Sequence, residues 1–285
     1  MEGYLDSFGN VLKAIRKERK LTQKMLSQDI CSQSVLSRIE NGEELPNVLV
    51  MQQLCQRLGV TIDQVMLYNS TDVKEADELL ELMAYHFRKK EYKVLDELLK
   101  RPGLIEQLYL DTDIQLYFYY LGSCEFFLRG NCENALSLLK QGLSYTFKLD
   151  KMHVSKEEIQ LISCIGKVYG DMGNLEEAEQ YLKKSIHLFY RLPNRRGNVE
   201  LTKIFYNYAS FLFKKRQYAL ANEHIDSGIQ LARQKNSFYY LEDLFQLKSK
   251  LLKKNNREQE SLVYQQLSAE VQRIAKFGEN GLHHS

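Results

Sequence analysis

Apolar residues recur at intervals of three and four along most of the chain, and no long stretch alternates apolar and polar positions. The first pattern gives one apolar face of an α-helix, whereas alternation would indicate β-strands. In residues 7–20, for example, the apolar face consists of Phe8, Val11, Leu12 and Ile15. Only 3 Pro and 15 Gly occur in the 285 residues, so few positions interrupt a helix. The sequence therefore predicts an all-α protein.

Residues 21–46 have the pattern of two short helices joined by a tight turn. Thr22 is a suitable N-cap for a first helix, which we expect to end at residues 31–32. A second helix is predicted from Gln33 to Glu40, and it ends at Asn41 and Gly42 because both residue types tolerate the left-handed C-cap conformation. Helices with so short a connection cross steeply, which is the geometry of a helix-turn-helix.

The polar face of the second predicted helix has short hydrogen-bonding side chains that suit base edges. Gln bonds adenine with two hydrogen bonds, Ser bonds several bases, and Arg bonds guanine or phosphate. The residues on this face are Gln33, Ser34, Ser37 and Arg38. The pattern indicates a DNA-binding unit. A small helical pair inside a larger bundle, with a solvated polar face, is the alternative.

Positive charge is concentrated near the first helix. The formal net charge of the whole chain is only +2, so any contact with a polyanion must be local. The basic stripe consists of Lys13, Arg16, Lys17, Arg19, Lys20 and Lys24. Phosphate contacts of this kind supply most sequence-independent affinity for DNA. Residues 1–70 nevertheless contain eight Lys or Arg and eight Asp or Glu, so a solvated helix surface remains an alternative for the stripe.

The N-terminal quarter of the chain resembles the helix-turn-helix domain of the phage repressor and Cro class, also called the XRE class. The resemblance is carried by Gly9, Arg16, LTQ at 21–23, Leu26, SQSVLSRIENG at 32–42, Pro46 and LGVTIDQV at 58–65. It implies a five-helix DNA-binding domain over residues 1–68 and a structural ion pair between Arg16 and Glu40. With the polar face above, the predicted DNA contacts are Thr22, Gln23, Gln33, Ser34, Ser37, Arg38 and Asn41.

Helix pairs repeat regularly in the rest of the chain. The polar stretch NSTDVK at 69–74 is predicted to be a linker, residues 75–275 a repeat domain, and residues 276–285, which include the terminal GLHHS, a flexible tail. A small or apolar residue follows each predicted inter-helix turn by three positions. These residues are Leu95, Ala135, Ala178, Ala221 and Ser261, at intervals of 40 to 43. Such a period indicates a repeat array, although unspecific helical hairpins could also produce it.

The third repeat resembles a tetratricopeptide repeat (TPR). The matching positions are Ile165-Gly166, Tyr169, Gly173-Asn174, Ala178, Tyr181 and Ser185. The resemblance implies a right-handed α-superhelix of about five TPR-like hairpins. The concave surface of such an array is made mainly by the first helix of each pair and binds extended peptides or partner helices. By register, the candidate residues on that surface are Ser163, Lys167, Tyr206, Asn207, Ser210, Gln246 and Lys250.

The two regions together resemble the peptide-sensing regulators of the RRNPP group of Gram-positive bacteria, most closely the PlcR-like branch. The resemblance implies a cytoplasmic homodimer that binds a double-stranded DNA operator and a short signalling peptide. YNYA at 206–209 matches a position where Asn207 would hold the peptide backbone, whereas Ser163 and Lys167 stand where the branch tends to have Asn. This difference leaves the identity of the peptide open. A TPR interaction protein controlled by a protein partner and a ligand-independent regulator are the alternatives.

Enzymatic motifs do not occur in the sequence. Gly166-Lys167 is followed by Val168, so the residues do not form a phosphate-binding loop, and neither H-E-x-x-H nor G-x-S-x-G is present. We therefore expect no enzymatic activity, no cofactor and no metal. The five cysteines form no C-x-x-C pair, and neither a signal peptide nor a membrane span is indicated. We expect a cytoplasmic protein without membrane contact.

Overall fold

The computed structural model describes residues 2–67, 71–105, 108, 111–147, 154–192 and 199–280. The chain divides into two compact units, residues 1–81 and residues 82–285. Within these described ranges the regular elements are helices and no strand occurs, so the all-α prediction is confirmed. None of the described helices is long and apolar enough to cross a membrane.

The first unit contains the five helices predicted for a helix-turn-helix domain. They are α1 (Glu2–Glu18), α2 (Gln23–Ser27), α3 (Gln33–Glu40), α4 (Val48–Leu58) and α5 (Ile62–Leu67). Their apolar faces meet in one core, whose fully buried members include Leu12, Leu26, Leu36, Leu54 and Leu58. The core is thus built from the apolar residues that recur every three or four positions in the sequence.

Helix caps define the turn between α2 and α3. The hydroxyl of Thr22 accepts a hydrogen bond from the Met25 N–H (3.1 Å), and the hydroxyl of Ser32 accepts one from the Val35 N–H (3.2 Å). The prediction that α2 would extend to residues 31–32 was wrong. The helix ends at Ser27, because Asp29 has a left-handed backbone (φ 57°) that the helix cannot continue through.

The close approach of α1 and α3 depends on a glycine. A Cβ atom added at Gly9 would lie 2.0 Å from the carbonyl oxygen of Ile39, which is backbone and cannot move aside as a side chain could. The Gly9 position therefore lets α1 cross directly over the C-terminal end of α3. This crossing brings Arg16 of α1 close to Glu40, as described below.

The remaining helices are arranged as five consecutive hairpins, as predicted. These are α6 (Thr71–Arg88) with α7 (Tyr92–Leu99), α8 (Asp111–Arg129) with α9 (Cys132–Ser144), α10 (Lys156–Met172) with α11 (Leu175–Arg191), α12 (Thr202–Lys214) with α13 (Tyr218–Gln234), and α14 (Leu241–Lys254) with α15 (Glu258–Asn280). The first helices contact one another in series, α8 with α10, α10 with α12 and α12 with α14. This is the stacking of a helical-repeat superhelix.

The helices of the repeat domain begin before residue 75 and end after residue 275, the two limits predicted from the sequence. Residues 71–74, predicted as part of the linker, form the first turn of α6, and residues 69–70 lie outside the described residues. Polar residues favour both loops and helix N-termini, so the composition of this stretch does not by itself indicate a linker. Residues 276–280, predicted as tail, continue α15, because no proline interrupts it, whereas residues 281–285 lie outside the described residues.

The repeat period marks one buried position in each hairpin. The five marker residues are the fourth residues of α7, α9, α11, α13 and α15, and each is fully buried: Leu95, Ala135, Ala178, Ala221 and Ser261. In the third hairpin, a Cβ added at Gly166 of α10 would lie 2.8 Å from the Leu182 Cγ, whereas one added at Gly170 would lie 3.6 Å from the Ala178 Cβ. The glycine at position 166 therefore lets α10 and α11 approach closely.

The first hairpin also contacts the last two across the interior of the array. Lys90, in the turn after α6, forms an ion pair with Asp243 of α14 at 2.6 Å (Nζ to Oδ1). Phe87 lies beside the ring of Tyr119, with centroids 5.0 Å apart. Lys203 of α12 lies over the Phe87 ring at 4.7 Å. The inner helices thus enclose an interior rich in aromatic rings.

Candidate functional site

The exposed face of α3 carries the side chains that the sequence assigned to DNA. Gln33, Ser34 and Arg38 are exposed and Ser37 is half-buried. The Ser34 hydroxyl is 2.9 Å from that of the capping residue Ser32, and Arg38 forms an ion pair with Glu44 (Nη2 to Oε2, 2.9 Å). The face is therefore polar along its whole length and has its hydrogen-bonding groups close to the helix.

A buried ion pair holds α1 against the end of α3. The Arg16 guanidinium donates from Nε to Glu40 Oε1 (2.6 Å) and from Nη2 to Glu40 Oε2 (2.9 Å), and from Nη1 to the Leu21 carbonyl oxygen (2.8 Å). Glu40 is fully buried. The hydrogen bond with Glu40 is the main reason that the pKa of Arg16 is raised above its usual value. Arg16 is thus part of the fold, and its charge is neutralised internally.

Gln23 and Gln33 extend this ion pair to the surface of α3. Gln23 Nε2 donates to Glu40 Oε2 at 2.8 Å, and Gln33 Nε2 donates to Gln23 Oε1 at 2.6 Å. A primary amide has two N–H donors and one carbonyl acceptor. Gln33 therefore retains one N–H and its carbonyl oxygen, the pair of groups that can bond the edge of adenine. The network orients Gln33 from the interior of the domain.

Two other predicted contacts have intramolecular partners. Thr22 caps α2, as described above, so its side chain is positioned beside the first turn of that helix. Asn41, exposed at the end of α3, accepts a hydrogen bond from Lys13 Nζ through Oδ1 (3.1 Å). A lysine of the basic stripe is thereby held beside Asn41, where the resemblance places a phosphate contact. The structure brings the α2, α3 and Lys13 groups to one exposed region of the first unit.

In the second unit, a cavity of about 160 Å³ lies among α10, α11 and α12. Three of the seven residues placed on the concave surface by register line it, namely Lys167, Asn207 and Ser210. Ser163 is buried beneath the cavity, where its hydroxyl oxygen accepts a hydrogen bond from Asn207 Nδ2 at 3.1 Å. Asn207 is itself only 2% exposed. Its carbonyl oxygen and second N–H are the groups left for a ligand.

The other three predicted groove residues lie away from this cavity. The Tyr206 ring packs against that of Tyr240, with centroids 5.2 Å apart. Gln246 and Lys250 are exposed on α14, and Gln246 Nε2 donates to Glu242 Oε1 (3.1 Å). The register therefore grouped seven residues, of which the structure brings four together around one cavity.

Paired charges surround the mouth of the cavity. Asp171 accepts hydrogen bonds from Lys167 and from Lys214, the latter at 2.8 Å (Nζ to Oδ1). Burial disfavours the charged form of Asp171, but the hydrogen bonds from the two lysines outweigh it, so that its pKa is lowered. Two lysines thus share one carboxylate, and the rim of the cavity has a local excess of positive charge.

Lys203 is an interior residue that the sequence patterns did not single out. Its side chain is almost fully buried (3% exposed), and its Nζ donates to the Tyr119 hydroxyl at 3.2 Å. Four rings surround the Nζ, with centroid distances of 4.7 Å (Phe87), 5.3 Å (Tyr119), 5.3 Å (Phe127) and 5.9 Å (Tyr240). Burial lowers the pKa of Lys203. One signal in the sequence could have identified it. Lys203 is a lysine in a mainly apolar helix, between Thr202 and Ile204, and it lies four residues before Asn207.

Comparison with known proteins agrees with both units. Residues 12–65 match the family model described as helix-turn-helix, and residues 67–271 match that of the RNPP family C-terminal domain. No curated protein sequence matches this chain.

Three solved structures share the fold over nearly the whole chain. PlcR of Bacillus thuringiensis in complex with the peptide PapR7 and DNA has a TM-score of 0.80 at 20% identity, covering 98% of this chain and 99% of that chain. ComR of S. thermophilus in complex with DNA and its signalling peptide ComS has a TM-score of 0.63 at 13% identity, covering 95% and 94%. The SHP pheromone receptor Rgg2 of Streptococcus dysgalactiae has a TM-score of 0.56 at 16% identity, covering 98% and 100%. Since the family match spans well over half of the residues, this chain belongs to the RNPP family.

Proposed function

We propose that this protein is a cytoplasmic transcription regulator that binds DNA as a homodimer and is controlled by a short signalling peptide. The observation that carries the proposal is the presence on one chain of a preoriented polar recognition face and of a cavity among α10, α11 and α12 into which Lys167, Asn207 and Ser210 bring polar groups. The domain boundary that we propose places the DNA-binding part at residues 1–68 and the regulatory repeats at residues 75–275.

The DNA-binding part of the proposal rests on the hydrogen-bond network of α3. Gln33 is held by Gln23, and Gln23 by the buried Glu40, so the base-reading amide is oriented before DNA arrives. Preorientation reduces the conformational entropy lost on binding. Lys13, held beside Asn41, supplies a cation for a phosphate. The PlcR and ComR structures named above contain DNA, which supports the same role for this chain.

The peptide-binding part of the proposal rests on Asn207 and its surroundings. An Asn amide with a free N–H and a free carbonyl oxygen can bond both groups of a peptide backbone. Its other N–H is fixed by Ser163, so the amide has a defined orientation at the cavity wall. The PlcR and ComR structures each contain a peptide, PapR7 and ComS respectively. Lys167 and Ser210 add polar groups on either side.

Two measurements test the two parts separately. Duplex DNA selected from a random library by the full-length protein should yield one consensus sequence with two half-sites, and failure to enrich any sequence would contradict the DNA-binding part. Calorimetry with synthetic peptides from small open reading frames beside the gene should show binding that Asn207→Ala weakens. Asn134→Ala, an exposed substitution on α9, is the matched control. Binding only of a folded protein partner would instead indicate an interaction protein.

A further inference from the structure

Lys203 is a buried cation without a counter-ion in the described part of the chain. Among the described residues, the hydrogen-bond partner of its Nζ is the hydroxyl of Tyr119, a neutral group. The rings around it offset part of the cost of removing the charge from water, through cation–π attraction. A methionine of similar length would fill the same space without a desolvation cost. The fold alone therefore gives no reason for a charged group here.

Lys203 lies in line with the groups that line the cavity. Positions i, i+4 and i+7 share one face of a helix, and on α12 these positions are Lys203, Asn207 and Ser210. Asn207 and Ser210 both line the cavity among α10, α11 and α12. Lys203 thus continues the row of polar residues one turn towards the N-terminal end of α12.

The charges facing Lys203 also leave the interior positive. Besides the thiol of Cys164, the titratable side chains whose fields reach Lys203 are those of Lys90, Lys167 and Asp243. Asp243 is paired with Lys90 at 2.6 Å, and Lys167 shares Asp171 with Lys214. Each nearby carboxylate therefore already has a lysine partner. A carboxylate supplied from outside the chain is the group that would neutralise Lys203.

We propose that Lys203 binds a carboxylate of the signalling peptide, an inference that rests on the peptide-sensing function proposed above. The carboxylate comes either from an Asp or Glu side chain or from the C-terminus of the peptide. With the backbone held at Asn207, one helical turn away, this contact fixes the direction in which the peptide lies along α12. Lys203 is then a determinant of which peptides are accepted.

Access to Lys203 requires the displacement of one surrounding ring. The Tyr240 ring is the most distant of the four, at 5.9 Å, and it also packs on Tyr206 of α12. The Tyr240 backbone lies in the left-handed region (φ 58°), which non-glycine residues seldom adopt. We assign Tyr240 as the ring that moves when the carboxylate enters.

The test is affinity selection on the full-length protein from random heptapeptide libraries, one with free C-termini and one with amidated C-termini. Wild-type protein should enrich peptides with a fixed acidic position, or should lose binders when the C-terminus is amidated. The two results distinguish the two sources of the carboxylate. Lys203→Met should bind the selected peptides at least tenfold more weakly. Lys253→Met, exposed on α14, is the matched control and should bind them as the wild type does.

Three results would overturn the inference. If wild-type protein selects peptides without any carboxylate preference, peptide sensing stands and the role of Lys203 is wrong. The same holds if Lys203→Met retains the wild-type affinity. If wild-type protein selects no peptide at all, the proposed function and the inference both fail. Since a folding defect would also weaken binding, Lys203→Met must show a melting temperature equal to or above that of the wild type, which removal of a buried unpaired charge predicts.

Discussion

At the level of single residues, Gln23 shows how a DNA-contacting position can also belong to the fold. Its amide is half-buried, donates to Glu40 and accepts from Gln33. Replacement of Gln23 would leave a buried carboxylate with one partner fewer and would release Gln33. Effects of such a variant on DNA binding would therefore mix loss of contact with loss of orientation, and Gln33 gives the cleaner measurement.

Gln33→Ala should reduce discrimination between the selected operator and random DNA by about 1 to 3 kcal/mol, because one bidentate base contact is lost. Fluorescence anisotropy with both DNAs at one salt concentration measures this difference. Gln53→Ala, exposed on α4, serves as the control and should leave both affinities unchanged. An equal loss on both DNAs would show that Gln33 contributes affinity without reading bases.

Lys203→Met should change the pH dependence of stability in a defined direction. Burial lowers the pKa of Lys203 in the folded chain. At pH values between this lowered pKa and the ordinary pKa of lysine, Lys203 binds a proton in the unfolded chain but not in the folded one. Wild-type stability should consequently rise with pH through this window relative to the variant. Urea unfolding between pH 7 and pH 10, followed by circular dichroism, gives the difference, with the variant more stable at pH 7. Parallel curves for the two proteins would contradict a buried charged Lys203.

Local pattern identified the polar faces but not the partners of the residues on them. The sequence placed Gln33 on an exposed face and Asn207 on an inner helix, since both follow from helical period. It could not show that Asn207 bonds Ser163, or that Lys203 is enclosed by Tyr119, because these pairs are 44 and 84 residues apart. Such contacts depend on how the hairpins stack.

At the level of helices, small residues were the most informative part of the sequence. The interval of 40 to 43 residues located the fourth residue of each second helix, and all five of these residues are fully buried. Helix ends were less predictable. The left-handed conformation of Asp29 shortened α2, and the polar residues taken as a linker became the start of α6. Polar residues favour both helix N-termini and loops, so composition alone does not separate the two.

Two glycines one turn apart on α10 provide a matched test of this packing. Gly166→Ala should destabilise the repeat unit by about 1 to 3 kcal/mol, because its Cβ would lie 3.0 Å from the Leu182 backbone nitrogen. Gly170→Ala meets nothing closer than 3.5 Å and should stabilise α10 by up to about 1 kcal/mol through helix propensity. Urea unfolding of the two variants and the wild type measures both effects. Equal stability of the variants would show that the hairpin can separate slightly without cost.

At the level of the whole molecule, one copy of α3 offers too few contacts for a specific operator. A homodimer would read two half-sites with centres about 34 Å apart, one turn of the DNA helix. We expect light scattering to give twice the 33.4 kDa of one chain. Operator affinity should fall steeply with salt, and Lys13→Ala should reduce the slope of log K against log salt by about 1 per subunit. A monomeric mass at micromolar concentration would contradict the dimer, and salt-independent binding would contradict the phosphate contacts.

The ion pair between Lys90 and Asp243 has a consequence for how the repeat array comes apart. In an open array each repeat touches only its neighbours, so a terminal hairpin can fray while the others stay folded. Here residues 153 positions apart are joined, and the Lys90 Nζ also lies over the Tyr240 ring at 4.8 Å. Fraying at either end therefore breaks contacts of the other end. Hydrogen exchange should show the amides of α7 and α14 opening together as one cooperative unit, and Asp243→Asn should make α14 exchange before α7.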